Sequence, residues 1–441
     1  MVRLHMGGIS AAREDAQEQF RTAQESGYEY ANVRVPYRSE TLRISSDDRD
    51  RIRALLSAED SAAAREPMPL LPRRPRRKII LDTDIGTDVD DALALLLLLE
   101  LCEKDVELLG VTTVYGYSHV RAAVAESIVR AFEQERGRSD AIPVFAGEST
   151  PLGTHRPVWH SGTEGQGIMP SEEVWRLQQR ADFVVANGLP LVPVSTPIQE
   201  NGRHAAARWI AGQTTRFPGA VTVVCIGQLT NVAIALATDP AMQDNVERIV
   251  HMAVGDPVPP RERSEAYFAA NSDTTWTYRP NHNMSGDTLA ARLVYDSRAK
   301  IDVIPHPVTK QLWWGEVPAF APDKRELSVA RAACLALMDA RAPRHSAVVG
   351  SLLRVWLDYR SAIFRAPVRG TCPHDALTVA EAVYPGRFLD FTSPGHLLVH
   401  EWAGFSTFVR VPGGPHRLGM AVQADPFIEF LSERLHAAVT S

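Results

Sequence analysis

The chain has 441 residues, 45% hydrophobic and 23% charged, a soluble globular composition long enough for one large α/β domain with additions, or for two domains. Its net charge of −6 gives no argument for nucleic acid or an anionic membrane as partner. The four cysteines, Cys102, Cys225, Cys334 and Cys372, form no CxxC pair. Neither a zinc site nor a disulfide framework is therefore indicated, and three of them read as buried thiols of a reducing compartment.

The opening MVRLHMGGISAARED lacks the continuous apolar stretch of a secretory signal. Residues 1–77 are rich in Arg, Glu, Asp, Ser and Ala, and close with EPMPLLPRRPRRK. They read as an N-terminal extension, partly helical or disordered, with a proline-arginine linker. From Lys78 onward strand-like and helix-like segments alternate. KIILDTD precedes DALALLLLLELC, and ELLGVTTVYG precedes HVRAAVAESIVRAFEQE. IPVFAG, AVTVVCIG, RIVHMAVG and KIDVIP continue as strands, with LTNVAIALATD and DTLAARLVYDS as helices between them. ALALLLLLELC is too short to cross a membrane, which takes ~20 apolar residues, so a buried helix is expected. This alternation predicts an α/β fold, a mostly parallel central sheet with helices on both faces, of open Rossmann type. The later segments ELSVARAACLALMDA, HSAVVGSLLRVWLDYRSAIF and PHDALTVAEAV read as helices. FLDFT, HLLVHEW and STFVRV read as small antiparallel C-terminal strands, before a closing helix in PFIEFLSERLHAAV.

Between the first strand and helix the chain reads DTDIGTDVDD, with Asp82, Asp84, Asp88, Asp90 and Asp91 inside ten residues. In a parallel sheet this is the ligand-binding end. Acidic residues gain ~0.3–1 kcal/mol each at a helix start, which explains one or two of them but not five. A hard cation would neutralise the rest, since calcium takes six to eight oxygens. An EF-hand is excluded, because Gly86 and Leu93 fall where oxygen ligands should stand. A haloacid-dehalogenase-type phosphatase also begins with a strand and DxD, using Mg²⁺ and an Asp82 nucleophile, and LDTDIGT resembles it except at Gly86.

The same element is similar to the DxDPGxDDA opening of the inosine-uridine preferring nucleoside hydrolase family, with two extra residues and Ile85 for proline. Further segments agree in order: ELLGVTTVYG, IPVFAGESTPL with WHSGTEGQG, VCIGQLTNVAIAL and PHDALTVAEAV. The resemblance runs from about Lys78 to the C-terminus, so residues 78–441 are expected to be a nucleoside hydrolase-like catalytic domain. It implies calcium held by Asp84, Asp91, Asp375 and the backbone carbonyl of Ile226. Asp84 would also deprotonate a calcium-bound water, while Asp82 orients the ligands. Asp90 and Asn283 would bind ribose hydroxyls, Asn281 the 5′ side of the sugar, and His160 the ribose. His374, beside Asp375, would be the acid that protonates the departing base.

The expected reaction is hydrolysis of a ribonucleoside, or a close N-riboside, to ribose and free base. Cytoplasmic nucleoside salvage or catabolism by a homodimer or homotetramer is implied, without nucleic acid or membrane as partner. A binding protein that has lost turnover is the rival from another class. Several positions depart from the family: Tyr117 follows Gly116, and Asn281-His282-Asn283 stands where Glu-x-Asn is common. Residues 256–280 read either as a surface loop or as a lid offering Tyr267, Trp276 or Tyr278 to the base. Arg261 and Arg263 there would suit a phosphate. Trp313 and Trp314 read as core or interface residues, and Asp88 has no assigned role.

Overall fold

The short β-branched runs become strands in the computed structural model, which describes residues 76–154, 204–258, 275–400 and 404–440, apart from 87, 103, 139–140 and 340–341. The strands are β1 (Arg77–Thr83), β2 (Val106–Thr113), β3 (Val144–Ala146), β4 (Val221–Cys225), β5 (Val246–Ala253), β6 (Thr275–Tyr278) and β7 (Ile301–Pro305). They continue with β8 (Trp314–Glu316), β9 (Arg369–Thr371), β10 (Leu389–Phe391), β11 (Gly395–Val399), β12 (Ser406–Arg410) and β13 (His416–Val422). The helices used below are α1 (Asp90–Leu101), α2 (Ser118–Glu135), α3 (Ala205–Arg216), α4 (Thr230–Thr238), α5 (His282–Gly286) and α6 (Thr288–Tyr295). After them come α7 (Ser328–Leu337), α8 (Arg344–Phe364), α9 (His374–Val383) and α10 (Ala424–Thr440).

The main sheet runs β3-β2-β1-β4-β5-β7-β13-β11-β12-β6, with β10 on β13. Pairing is parallel from β3 across to β13. It is antiparallel from β13 through β11 and β12 to β6, and between β10 and β13. β1 lies between β2 and β4, so successive connections leave it in opposite directions. That is a topological switch point, where a crevice opens at the carboxyl ends of the strands.

Helices cover both faces of the parallel part, which is why β1 is apolar without interruption: Ile79, Ile80 and Leu81 are all buried. Their alternation assigns Ile79 and Leu81 to one core and Ile80 to the other. α1 is apolar on every side, because it is enclosed by α8, α9 and α10. Each buried leucine stabilises the fold by roughly 1.5–3 kcal/mol. This anchors the helix whose first turn carries Asp90 and Asp91. Among the described residues no helix is long and apolar enough to cross a membrane. All four cysteines are free, with Cys102, Cys225 and Cys334 buried.

The C-terminal strands pair antiparallel as expected, β11 with β12 and β10 with β13, the last of these formed by HRLGMAV, which was not expected as a strand. It pairs parallel to β7 and ties β11 and β12 into the main sheet. Its Gly419 and charged Arg417 weaken the strand signal. Trp276 and Tyr278, read from the sequence as part of either a surface loop or a lid, stand on the edge strand β6. Trp276 packs against Phe408 at 6.1 Å between ring centres, and Tyr278 is buried in the core. Trp314 is a core residue, donating from Nε1 to Ser432 Oγ at 3.2 Å. Residues 1–75, His160, Arg261, Arg263 and Tyr267 lie outside the described residues.

Candidate active site

β1 delivers Asp82 and Asp84 to the switch point. Gly86, at φ +114°, turns the chain in a conformation that suits glycine. Just past the neighbouring strand β4, Gly227 lets the chain come close: a Cβ there would lie 2.9 Å from the Asp84 nitrogen and 2.8 Å from Val114. Asp90 and Asp91 open α1, and Asp375 opens α9. Negative groups in the first turn of each helix suit the positive end of its dipole.

Asp90, Asp91 and Asp375 are buried, and each turns one carboxylate oxygen inward so that the three lie within 4.8 Å of one another. Burial raises all three carboxyls well above the ordinary aspartate range, and neighbouring charges raise them further. Asp84 acts on Asp91, Asp88 on Asp90, and Asp90 on Asp375. Crowded, desolvated oxygens, to which Arg121 supplies an opposing charge at Asp91, are a donor set that suits a hard divalent cation. The trio differs from the expected ligand set, containing Asp90 where Asp84 was expected. Asp84 stands beside it, with its charge felt by all three.

The other expected residues fall around this cluster. Asn283 donates from Nδ2 to the Ile226 and Met252 carbonyls, both at 2.9 Å. The Ile226 carbonyl thus lies against Asn283, and the Ile226 N–H donates to the Asp82 carbonyl at 2.9 Å. Asn281 is committed to the fold: its oxygen caps α5 by accepting from Met284 N at 3.0 Å, and its amide donates to Met252 Sδ at 3.3 Å. Asp88 accepts from Val89 N at 2.7 Å. Burial raises its carboxyl to about 6, opposed chiefly by Arg360.

Asp82 is fully buried and accepts from Thr112 Oγ1 at 2.6 Å and Asn231 Nδ2 at 2.7 Å. Burial raises its carboxyl to about 7. A nucleophile must reach its substrate, and an aspartate sealed in this way does not suit the phosphatase role. His374 pairs through Nδ1 with Thr309 Oγ1 at 2.7 Å and stacks on His306, with ring centres 5.1 Å apart. Burial first, then the charges of His306, Lys324 and Arg360, push its pKa well down.

Three residues around Asp84 were not singled out from the sequence. Gln228 Nε2 donates to Asp84 Oδ2 at 3.4 Å, and His282 Nε2 lies 3.7 Å from the same oxygen. Arg121 donates to the Asp84 backbone carbonyl. Gln228 and His282 sit inside the quoted GQLTN and NHN segments, so proximity to motif positions is a signal. Arg121 looks like any helix arginine.

Fold and site together define an α/β enzyme with a buried carboxylate cluster at the carboxyl edge of a mostly parallel sheet. A sequence model of the inosine-uridine preferring nucleoside hydrolase family matches residues 79–433, and the chain belongs to that family. A probable uridine nucleosidase 1 from Oryza sativa is 28% identical over 54% of this chain and 60% of its own length. Uridine nucleosidase 1 from Arabidopsis thaliana is 26% identical over 70% of this chain and 75% of its own. The solved purine-preferring ribonucleoside hydrolase from Gardnerella vaginalis superposes with a TM-score of 0.56 at 20% identity. That match covers 82% of this chain and 99% of the other, a likeness of fold.

Proposed function

We propose that the protein hydrolyses the N-glycosidic bond of a ribonucleoside, or a close N-riboside, releasing ribose and free base with the help of Ca²⁺. The observation that carries this reading is the convergence of the Asp90, Asp91 and Asp375 oxygens within 4.8 Å, beside Asp84. Asp91, Asp375 and the Ile226 carbonyl would hold the ion, with Asp84 or Asp90 completing the set. When bound, it would neutralise these carboxylates and make a nearby water more acidic. Asp84 takes the proton from the attacking water. Asp90 and Asn283 hold ribose hydroxyls and fix the sugar over that water. The anionic surroundings favour the oxocarbenium character that develops as the bond to the base breaks. His374 gives a proton to the departing base.

The reading extends to nucleoside salvage or catabolism in the cytoplasm, which the free, buried thiols support. It also includes a homo-oligomer, supported by the exposed Leu289 and Leu293, one turn apart on α6, with Leu152 nearby. Residues 1–77 would be an extension outside the catalytic unit. One experiment tests the core of this. Protein is incubated with uridine, inosine and other nucleosides, with and without a chelator, and free sugar and phosphate are measured. Sugar release lost on chelation and in Asp84→Ala is the expected result. Phosphate release from a phosphoester, lost in Asp82→Asn, would overturn the reading. Binding without either product would favour the retired-enzyme alternative.

A further inference from the structure

We propose that Arg121 is a positioning residue for Asp84, clamping the two loops that shape the site and so setting both cation affinity and turnover. The inference rests on the reading of Asp84 as the base beside a cation site. Arg121 is among the largest fully buried side chains of the protein. It lies in the first turns of α2, and its guanidinium faces two loops at once. Nη1 donates to the carbonyl of Asp84 and, at 3.1 Å, to that of Ile85, while Nε donates to the Tyr115 carbonyl at 2.7 Å. One planar group therefore joins the turn after β1 to the turn after β2.

The second turn needs such a clamp. Tyr115 sits at φ +69°, a left-handed conformation that costs a bulky residue about 1–2 kcal/mol. It is held by Arg121 at its carbonyl and, at its N–H, by the Glu148 carbonyl at 2.7 Å. In this pose its ring meets His282 edge-on, at 5.3 Å between centres and 89° between planes. His282 Nε2 in turn stands 3.7 Å from Asp84 Oδ2. The path leaves Asp84 through its backbone and returns to its carboxylate, and Arg121 bonds to both loops. Its charge also opposes the crowding at Asp91. The cost of burying the guanidinium is offset by these three backbone carbonyls and by the charge of Asp91 nearby. A lysine could satisfy only part of this fork.

The test uses the full-length protein, R121K and R121A. Calcium affinity is measured by isothermal titration, and kcat and KM with uridine. R121K is expected to bind Ca²⁺ more weakly, by about 10- to 100-fold, with kcat falling by a similar factor and KM changing little. Methylguanidinium added to R121A should restore part of kcat. If R121A does not fold, R121K, which keeps charge and most of the volume, decides the matter. R121K that loses thermal stability while keeping wild-type calcium affinity and kcat would show a purely structural role and overturn the proposal. Wild-type protein that turns over uridine but binds no calcium would remove the cation reading itself, and the proposal with it.

Discussion

Asn231 donates from Nδ2 to Asp82 Oδ1 at 2.7 Å and to the Thr113 carbonyl at 3.0 Å, while its oxygen accepts from Glu148 N at 2.9 Å. One amide thus ties the ends of β1 and β2 to the segment after β3. The LTN turn is therefore a brace for the site before it is anything catalytic. Asn231→Ala would leave Asp82 with Thr112 as its remaining donor, and would strip a partner from buried backbone. A loss of about 1–3 kcal/mol per unsatisfied group is expected. Thermal or urea unfolding measures it, and a variant as stable as wild type would show that the brace is idle.

The pH dependence of the metal-free protein follows from its raised carboxyls. Asp82 moves from 3.8 to about 7 on folding, and Asp90, Asp91 and Asp375 move in the same direction, because burial penalises their charged forms. A group whose pKa is higher when folded stabilises the fold below its unfolded value. That contribution is lost as pH rises through the folded value. Chelated protein should therefore lose stability between about pH 4 and pH 7. Calcium should restore more melting temperature at pH 8 than at pH 5. A melting temperature that climbs over this range in chelator would contradict the assignment.

Much of this was legible in the sequence, for reasons that can be named. Uninterrupted apolar runs such as KIIL and ALALLLLL arise only where both sides of an element are covered, so the layered α/β fold could be read from them. The five aspartates at the end of β1 and just after it lie within ten residues of the chain, and their crowding is visible without coordinates. The role of Arg121 arises from side-chain reach between elements, and no local pattern encodes it. Asn281, expected on the 5′ side of the sugar, also precedes a short helix and caps it, a second and ordinary use for asparagine that was not read from the sequence. TWTY carries the alternation of a strand but lies in a long polar segment, which hid β6.

Asp375 offers a way to separate stability from function. In the chelated protein its carboxylate adds to the crowding, since Asp90, Asp91, Asp84 and Asp88 all raise its pKa, while its hydrogen bond to Asp90 offsets part of the crowding there. Asp375→Asn should leave the metal-free protein as stable as wild type or more so at pH 8. The calcium-induced rise in melting temperature should disappear, and kcat/KM should fall by about 10²- to 10³-fold, as expected when a charge-stabilising group is lost. Unchanged calcium stabilisation in this variant would remove α9 from the cation site.

His374 gives the last prediction, since its role depends on the leaving group. The residue is fixed by Thr309 and His306 at the start of α9, and in the proposed mechanism it acts on the base and not on the attacking water. Acid catalysis of this kind contributes about 10²- to 10⁴-fold, and only when the leaving group needs a proton. His374→Asn should therefore lower kcat for uridine or inosine by roughly that factor. It should barely change the hydrolysis of a nitrophenyl riboside, whose phenolate departs unprotonated. Equal losses on both substrates would mean that His374 acts through Asp375 instead, holding the carboxylate in place without donating a proton.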